Sequence, residues 1–274
     1  MKIAICLSGQ PRAWKSAQAS FTEFVESIKK NHQGCVIDTF IHAWDFNTTT
    51  NIQMGSPAVN AYLTDIYRKS SIHISNDEMQ SLLEFYQPKK YLIEDIDKSM
   101  KIVYDAMCGD TPAPVGWSAS QFYSMQRVAL LKRDYELQMG EEYDWCIRYR
   151  FDLDMNNQTE FNISTLSNFD KWRNIPLGSN IYLERKYTHP TNTMYSVHTG
   201  MDINWPFYRV GDICFIADSL TYDLICNFYD WLLCIPRTLF FHGVLPEVVF
   251  CYYINMLKID IAKLYVDPGV LRDY

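Results

Sequence analysis

The residues best suited to chemistry lie in one run, Tyr143-Asp144-Trp145-Cys146-Ile147-Arg148-Tyr149-Arg150-Phe151-Asp152-Leu153-Asp154. From Trp145 the odd positions are apolar, while the even positions carry Cys146, Arg148, Arg150, Asp152 and Asp154. This alternation predicts a half-buried strand with one core face and one charged face. Because side chains alternate across a strand, Arg148, Arg150, Asp152 and Asp154 would line one side. Two carboxylates in Asp-x-Asp stand roughly 6 to 7 Å apart along a strand, close enough to share a divalent ion directly or through water. Hard oxygen ligands suit Mg or Mn, completed by a substrate diphosphate, and the cations beside them suit its phosphates. An exposed strand face with plain Arg–Asp pairs would carry the same pattern and contribute little stability.

Other stretches could join this one. Lys2 to Leu7 reads as a buried strand, and the loop Ser8-Gly9-Gln10-Pro11-Arg12 that follows leads into a helix from about Trp14 to Lys30. Ligands of open α/β sheets bind outside the carboxyl ends of strands, so Ser8, Gly9, Gln10 and Arg12 are candidates for gripping a nucleotide. An ordinary Gly-Pro turn is the alternative. Asp212 and Glu247 are candidate general bases, with a turn residue and a carboxylate serving only the helix dipole after Pro246 as the respective alternatives. His42 and His242 read as structural histidines.

The elements that must position these groups follow a βαβ order. A second strand is expected over Cys35 to Trp44, loop over 46–57, a helix over Asn76 to Tyr86 capped by Asn76, and a third strand over Tyr91 to Asp95. After a loop from Ala106 to Gly116, Ser118 and Gln121 form a capping box ahead of a helix ending near Met139, closed by Gly140. Strands are expected at Asn180 to Leu183 and Val210 to Asp218, and helices over Ser219 to Leu233 and from Pro246. Tyr187 to His198 reads as too polar for core. The expected fold class is α/β, with a mixed, mostly parallel central sheet flanked by helices.

At 274 residues, 48% hydrophobic and 21% charged, the chain can bury one large core, and a single domain is expected. A net charge of -7 with scattered basic residues argues against nucleic acid as a partner. The opening apolar run is too short for a secretory signal, and no transmembrane segment is legible. A soluble, cytoplasmic protein is therefore expected, in the host cytoplasm if the source is viral. Eight cysteines without a C-x-x-C spacing read as reduced, mostly buried thiols.

Taken together, the chain resembles glycosyltransferases of the GT-A type, particularly loosely characterised viral and bacterial sugar-transfer proteins. The resemblance rests on the strand ending Leu7-Ser8-Gly9-Gln10-Pro11-Arg12, on Phe40-Ile41-His42-Ala43-Trp44, on Ser120-Gln121 opening a helix, and on the Tyr143 to Asp154 run. It continues through Gly211-Asp212 and Leu245-Pro246-Glu247. It implies a GT-A-like nucleotide-sandwich fold in which 1–155 bind a nucleotide-sugar donor and 156–274 shape the site for a glycan or other hydroxyl acceptor. By the same resemblance Asp152 and Asp154 hold the metal, while Ser8, Gly9, Gln10, Arg12, Gln121, Arg148, Arg150 and Asp152 contact the donor. Such enzymes often recruit a further ligand, commonly His, near the C-terminus; here only Asp267 or the earlier His242 could serve. A nucleotidyltransferase on a similar scaffold and a non-catalytic carbohydrate-binding protein are the competing classes.

Overall fold

The computed structural model describes residues 1–48, 71–95, 98–99, 113–155, 174–177, 181–184, 192–196, 199–201, 208–210, 213–234, 246–263 and 269–270. In chain order the elements are β1 (Lys2–Gly9), α1 (Gln18–Asn31), β2 (Val36–Trp44), β3 (Phe46–Thr48), β4 (Ser71–His73), α2 (Asn76–Tyr86), β5 (Lys90–Glu94) and α3 (Ala113–Met139). They continue with β6 (Trp145–Tyr149), β7 (Leu153–Asp154), β8 (Asn174–Leu177), β9 (Ile181–Glu184), β10 (Thr193–Ser196), β11 (Thr199–Met201), β12 (Tyr208–Val210) and β13 (Phe215–Ala217). The last are α4 (Ser219–Cys226), α5 (Phe228–Cys234), α6 (Pro246–Met256), β14 (Asp260–Lys263) and β15 (Gly269–Val270).

Seven strands form one sheet in the order β14-β10-β13-β6-β1-β2-β5. The pairings of β1 with β2 and β6, β2 with β5, and β10 with β14 are parallel, and β13 runs antiparallel to both its neighbours. This is the expected mixed, mostly parallel sheet flanked by helices. Alternation along β1 sends Ala4 and Cys6 to a core layer with Phe122, Met125 and Val128 of α3, and Ile3, Ile5 and Leu7 to a second layer with Phe21, Phe24 and Ile28 of α1. Apolar side chains cover both faces, as parallel sheets require.

Local sequence explains the helices. On α1, Phe21, Phe24 and Ile28 recur on one face and are buried, and Lys29 and Lys30 complement the dipole in the last turn. On α2 the cap is Ser75, not Asn76: its side chain accepts from the Glu78 amide at 3.2 Å, and Asp77 and Glu78 fill the first turn. α3 starts at Ala113, so Ser118 lies inside the helix instead of capping it, and Pro114 falls in the first turn where no donor is lost. Gly140 closes α3 at φ 68. The helix expected over Ser219 to Leu233 is two, separated at Asn227.

Three expectations fail on account of non-local pairing. The segment read as too polar for core contributes β10, whose Met194 is fully buried between β13 and β14. The run Tyr143 to Asp154 is not one half-buried strand either. β6 ends at Tyr149, the chain turns at Phe151 and Asp152, and Leu153–Asp154 pair with Gly269–Val270. With β1 on one side and β13 on the other, β6 is a central strand, and Cys146, Ile147, Arg148 and Tyr149 are all buried. Phe46–Thr48, expected as loop, pairs with Ser71–His73. The described cysteines other than Cys35 and Cys234 are buried, and all are free thiols; Cys108 lies outside the described residues.

Candidate anion site at the carboxyl ends of β1 and β6

From β1 the chain passes to β2 on one side, while β6 enters on the other. Such a reversal of strand order leaves a crevice outside the carboxyl ends of the two strands, where open α/β sheets bind ligands. Gly9 opens this end of β1 at φ 120, and among the described residues no atom beyond its chain neighbours lies within 4 Å of where its Cβ would be, so the position demands backbone freedom rather than space. Ala13 follows in the left-handed region at φ 53. Between these two turns the loop brings Arg12 to Asp152, 140 residues away, with Nε donating to Oδ2 at 2.9 Å.

Arg150 completes the cluster, donating from Nε to Asp152 Oδ1 at 2.9 Å and from Nη2 to Oδ2 at 2.6 Å, a bidentate fork. Asp152 is only 2% exposed. Burial alone would push its carboxyl up, but the charges and hydrogen bonds of Arg150 and Arg12 outweigh burial and hold it below the usual carboxylate range. The phenol of Tyr86, at the end of α2, is buried; burial and then the Asp152 charge push it up, so it stays protonated. Trp14, Phe21 and Phe151 pack on its ring, fixing α2 beneath the cluster.

The other site expectations fare differently. Arg148 does not share an exposed face with Arg150. It is fully buried and donates from Nη1 to the main-chain oxygens of Ser8 (3.1 Å) and Tyr149 (2.6 Å), stitching the ends of β1 and β6 together. Ser8 Oγ and Gln121 Nε2 are buried without a hydrogen-bond partner among the described residues. Ser8 is in register with His42, which bonds Ser124 one turn along α3 from Gln121, so these polar atoms belong to the layer between the sheet and α3. Gln10 is half-buried. Asp154 is half-buried and in register with Gly269. Asp212, His242 and Asp267 lie outside the described residues, as does the side chain of Glu247 on α6.

Both Asp152 oxygens accept guanidinium hydrogen bonds, so a Mg or Mn ion shared by Asp152 and Asp154 would have to compete with Arg12 and Arg150 for that carboxylate.

Sequence reasoning took His42 as structural but missed the network around it. Ser124 Oγ lies 2.6 Å from Nδ1 and Glu94 Oε2 2.8 Å from Nε2, and Tyr123 and Arg127 donate to Glu94. A lone imidazole between Phe40 and Trp44 on a strand was the available signal, since a buried polar ring needs partners. Burial lowers the His42 pKa despite Glu94, which acts to raise it, whereas the Glu94 pKa is lowered because His42 and Arg127 outweigh burial. A depressed imidazole contributes stability in full above its unfolded value of about 6.5, lost as pH falls from there through the folded value, because only the unfolded chain takes up that proton. Urea midpoints at pH 7.5 and 5.5 should therefore differ less for His42→Gln than for the wild type; equal differences would place the acid sensitivity elsewhere.

No protein-family model and no curated protein matches the chain. Among solved structures it is similar to apo mouse xyloside xylosyltransferase 1, at 10% identity and a TM-score of 0.41, covering 96% of this chain and 85% of that one. It is also similar to a nucleoside-diphosphate-sugar pyrophosphorylase from Vibrio cholerae, at 8% identity and a TM-score of 0.36, covering 95% and 90%. At these scores neither likeness says what this chain does. No described helix is long and apolar enough to cross a membrane.

Proposed function

We propose that the chain is a glycosyltransferase of GT-A type, moving a sugar from a nucleotide-sugar donor to a glycan or other hydroxyl acceptor. The observation that carries the reading is the pair of guanidinium groups, Arg12 and Arg150, held by one buried carboxylate at the β1/β6 crevice. Planar guanidinium donors match phosphate oxygens, and a strand-order crevice is where a nucleotide is met. The bond from the sugar's anomeric carbon to the diphosphate breaks with its electron pair on the leaving oxygen, whose charge the guanidinium groups stabilise. The acceptor oxygen bonds to that carbon. Its proton passes to a base in inverting chemistry, with Asp212 and Glu247 the candidates from the acceptor half.

A panel of UDP-, GDP- and dTDP-sugars incubated with purified protein tests this. Slow release of a nucleoside diphosphate and free sugar from one donor, without acceptor, is the expected result. With inorganic pyrophosphate added, conversion of a nucleotide-sugar to a nucleoside triphosphate and a sugar 1-phosphate would indicate nucleotidyl transfer instead. No turnover with any donor, together with a sugar-induced rise in thermal stability, would make the protein a carbohydrate binder. Once a donor and acceptor are known, Glu247→Gln or Asp212→Asn should lower transfer by roughly 10²- to 10⁴-fold while donor binding survives; unchanged transfer in both would exclude them as the base.

A further inference from the structure

Asp152 decides how an anion in this crevice would be held. A cation seeking its carboxylate must first displace the Arg150 fork and then sit beside two guanidinium charges. An anion meets the opposite situation. Arg12 engages Asp152 through Nε and its side chain remains 31% exposed, and at the carboxyl ends of β1 and β6 two guanidinium groups share the one buried carboxylate of Asp152. Charge-assisted bonds from arginine to phosphate are among the stronger polar contacts, and a part-buried setting screens them less than open water does.

We infer that Arg12 and Arg150 hold the ligand's diphosphate directly, with Asp152 as their counter-ion and not as a metal ligand, so that anion binding at this crevice needs no divalent cation. The identity of the ligand as a nucleotide-sugar rests on the proposed function; the guanidinium groups that meet the anion do not. The two ways of holding a diphosphate give opposite outcomes for Asp152→Asn. A metal ligand lost to the amide would remove metal-dependent binding. A counter-ion lost to the amide removes a negative charge next to the anion while the amide oxygen still accepts a guanidinium hydrogen bond, so the anion binds more tightly.

Calorimetric titration of inorganic pyrophosphate into the whole chain, in EDTA and in Mg, distinguishes them. Wild type should bind in EDTA at least as tightly as in Mg, Asp152→Asn should bind about three- to tenfold more tightly in EDTA, and Arg12→Ala about tenfold more weakly. Arg12 lies on a part-exposed loop, so its variant keeps the test open should Asp152→Asn fail to fold. Binding that appears only with Mg overturns the inference while leaving sugar transfer standing. Absence of binding in both buffers, or an Arg12→Ala variant that binds like wild type, also overturns it; donor cleavage in the nucleotide-sugar panel still judges the transfer reading separately.

Discussion

Arg150→Ala is expected to lower nucleotide-sugar cleavage by about 10²- to 10³-fold, the effect of removing one pre-organised donor from a developing anion. The size follows from how Arg150 is held. Its fork on Asp152 fixes the guanidinium plane before any ligand arrives, so little reorganisation remains to be met during reaction. Arg150→Lys keeps the charge but loses the fork and should recover only part of the rate. Asp152 would keep Arg12 as a partner, so the folded state should persist, as a urea melt of each variant can check. A rate within threefold of wild type in Arg150→Ala would remove the guanidinium pair as the electrostatic centre of the site.

Lys132→Met should destabilise the fold by about 3 to 5 kcal/mol, the usual cost of leaving buried charge without its partner. Lys132 is fully buried between α3 and α4, with Nζ 2.9 Å from both Glu136 Oε2 and Asp223 Oδ1. Glu136 also accepts from Ser219 Oγ at 2.6 Å and from the Tyr143 amide at 2.8 Å, tying α3 to α4 and to the start of β6. Burial would lower the Lys132 pKa, but its anionic neighbours, Asp223 and Glu136 among them, outweigh burial and keep the ammonium protonated; burial raises Asp223 despite Lys132. With the cation gone, the buried Asp223 carboxylate, already raised by burial, relieves its cost by taking a proton, so the loss should be smaller at pH 5 than at pH 8. Replacing all three by apolar residues of similar volume should recover much of it, since a buried ion network is often no better than good packing. A loss under about 1 kcal/mol for Lys132→Met, the range of exposed pairs, would show that water reaches the network.

Much of the architecture was legible in the sequence. The apolar run at Lys2 to Leu7, the helix after it and the strand through Trp44 carry their periods locally, and α2 carries its acidic first turn, so the βαβ order and the parallel sheet follow from short-range pattern. The same pattern placed Ser8 to Arg12 and Asp152 at carboxyl ends of strands, and parallel pairing of β1 with β6 brings them together. What tertiary structure alone decided is how the charged positions are used. Alternation reports which way a side chain points along a strand, but not whether that face is covered. β6 has strands on both edges and helices on both faces, so Arg148 became a buried brace for two carbonyls and Arg150 a fork on Asp152. Thr193 to Ser196 became a sheet strand for the same reason: its polar sequence has no strand period of its own, and only β13 and β14, distant in the chain, supply the backbone hydrogen bonds that hold it there.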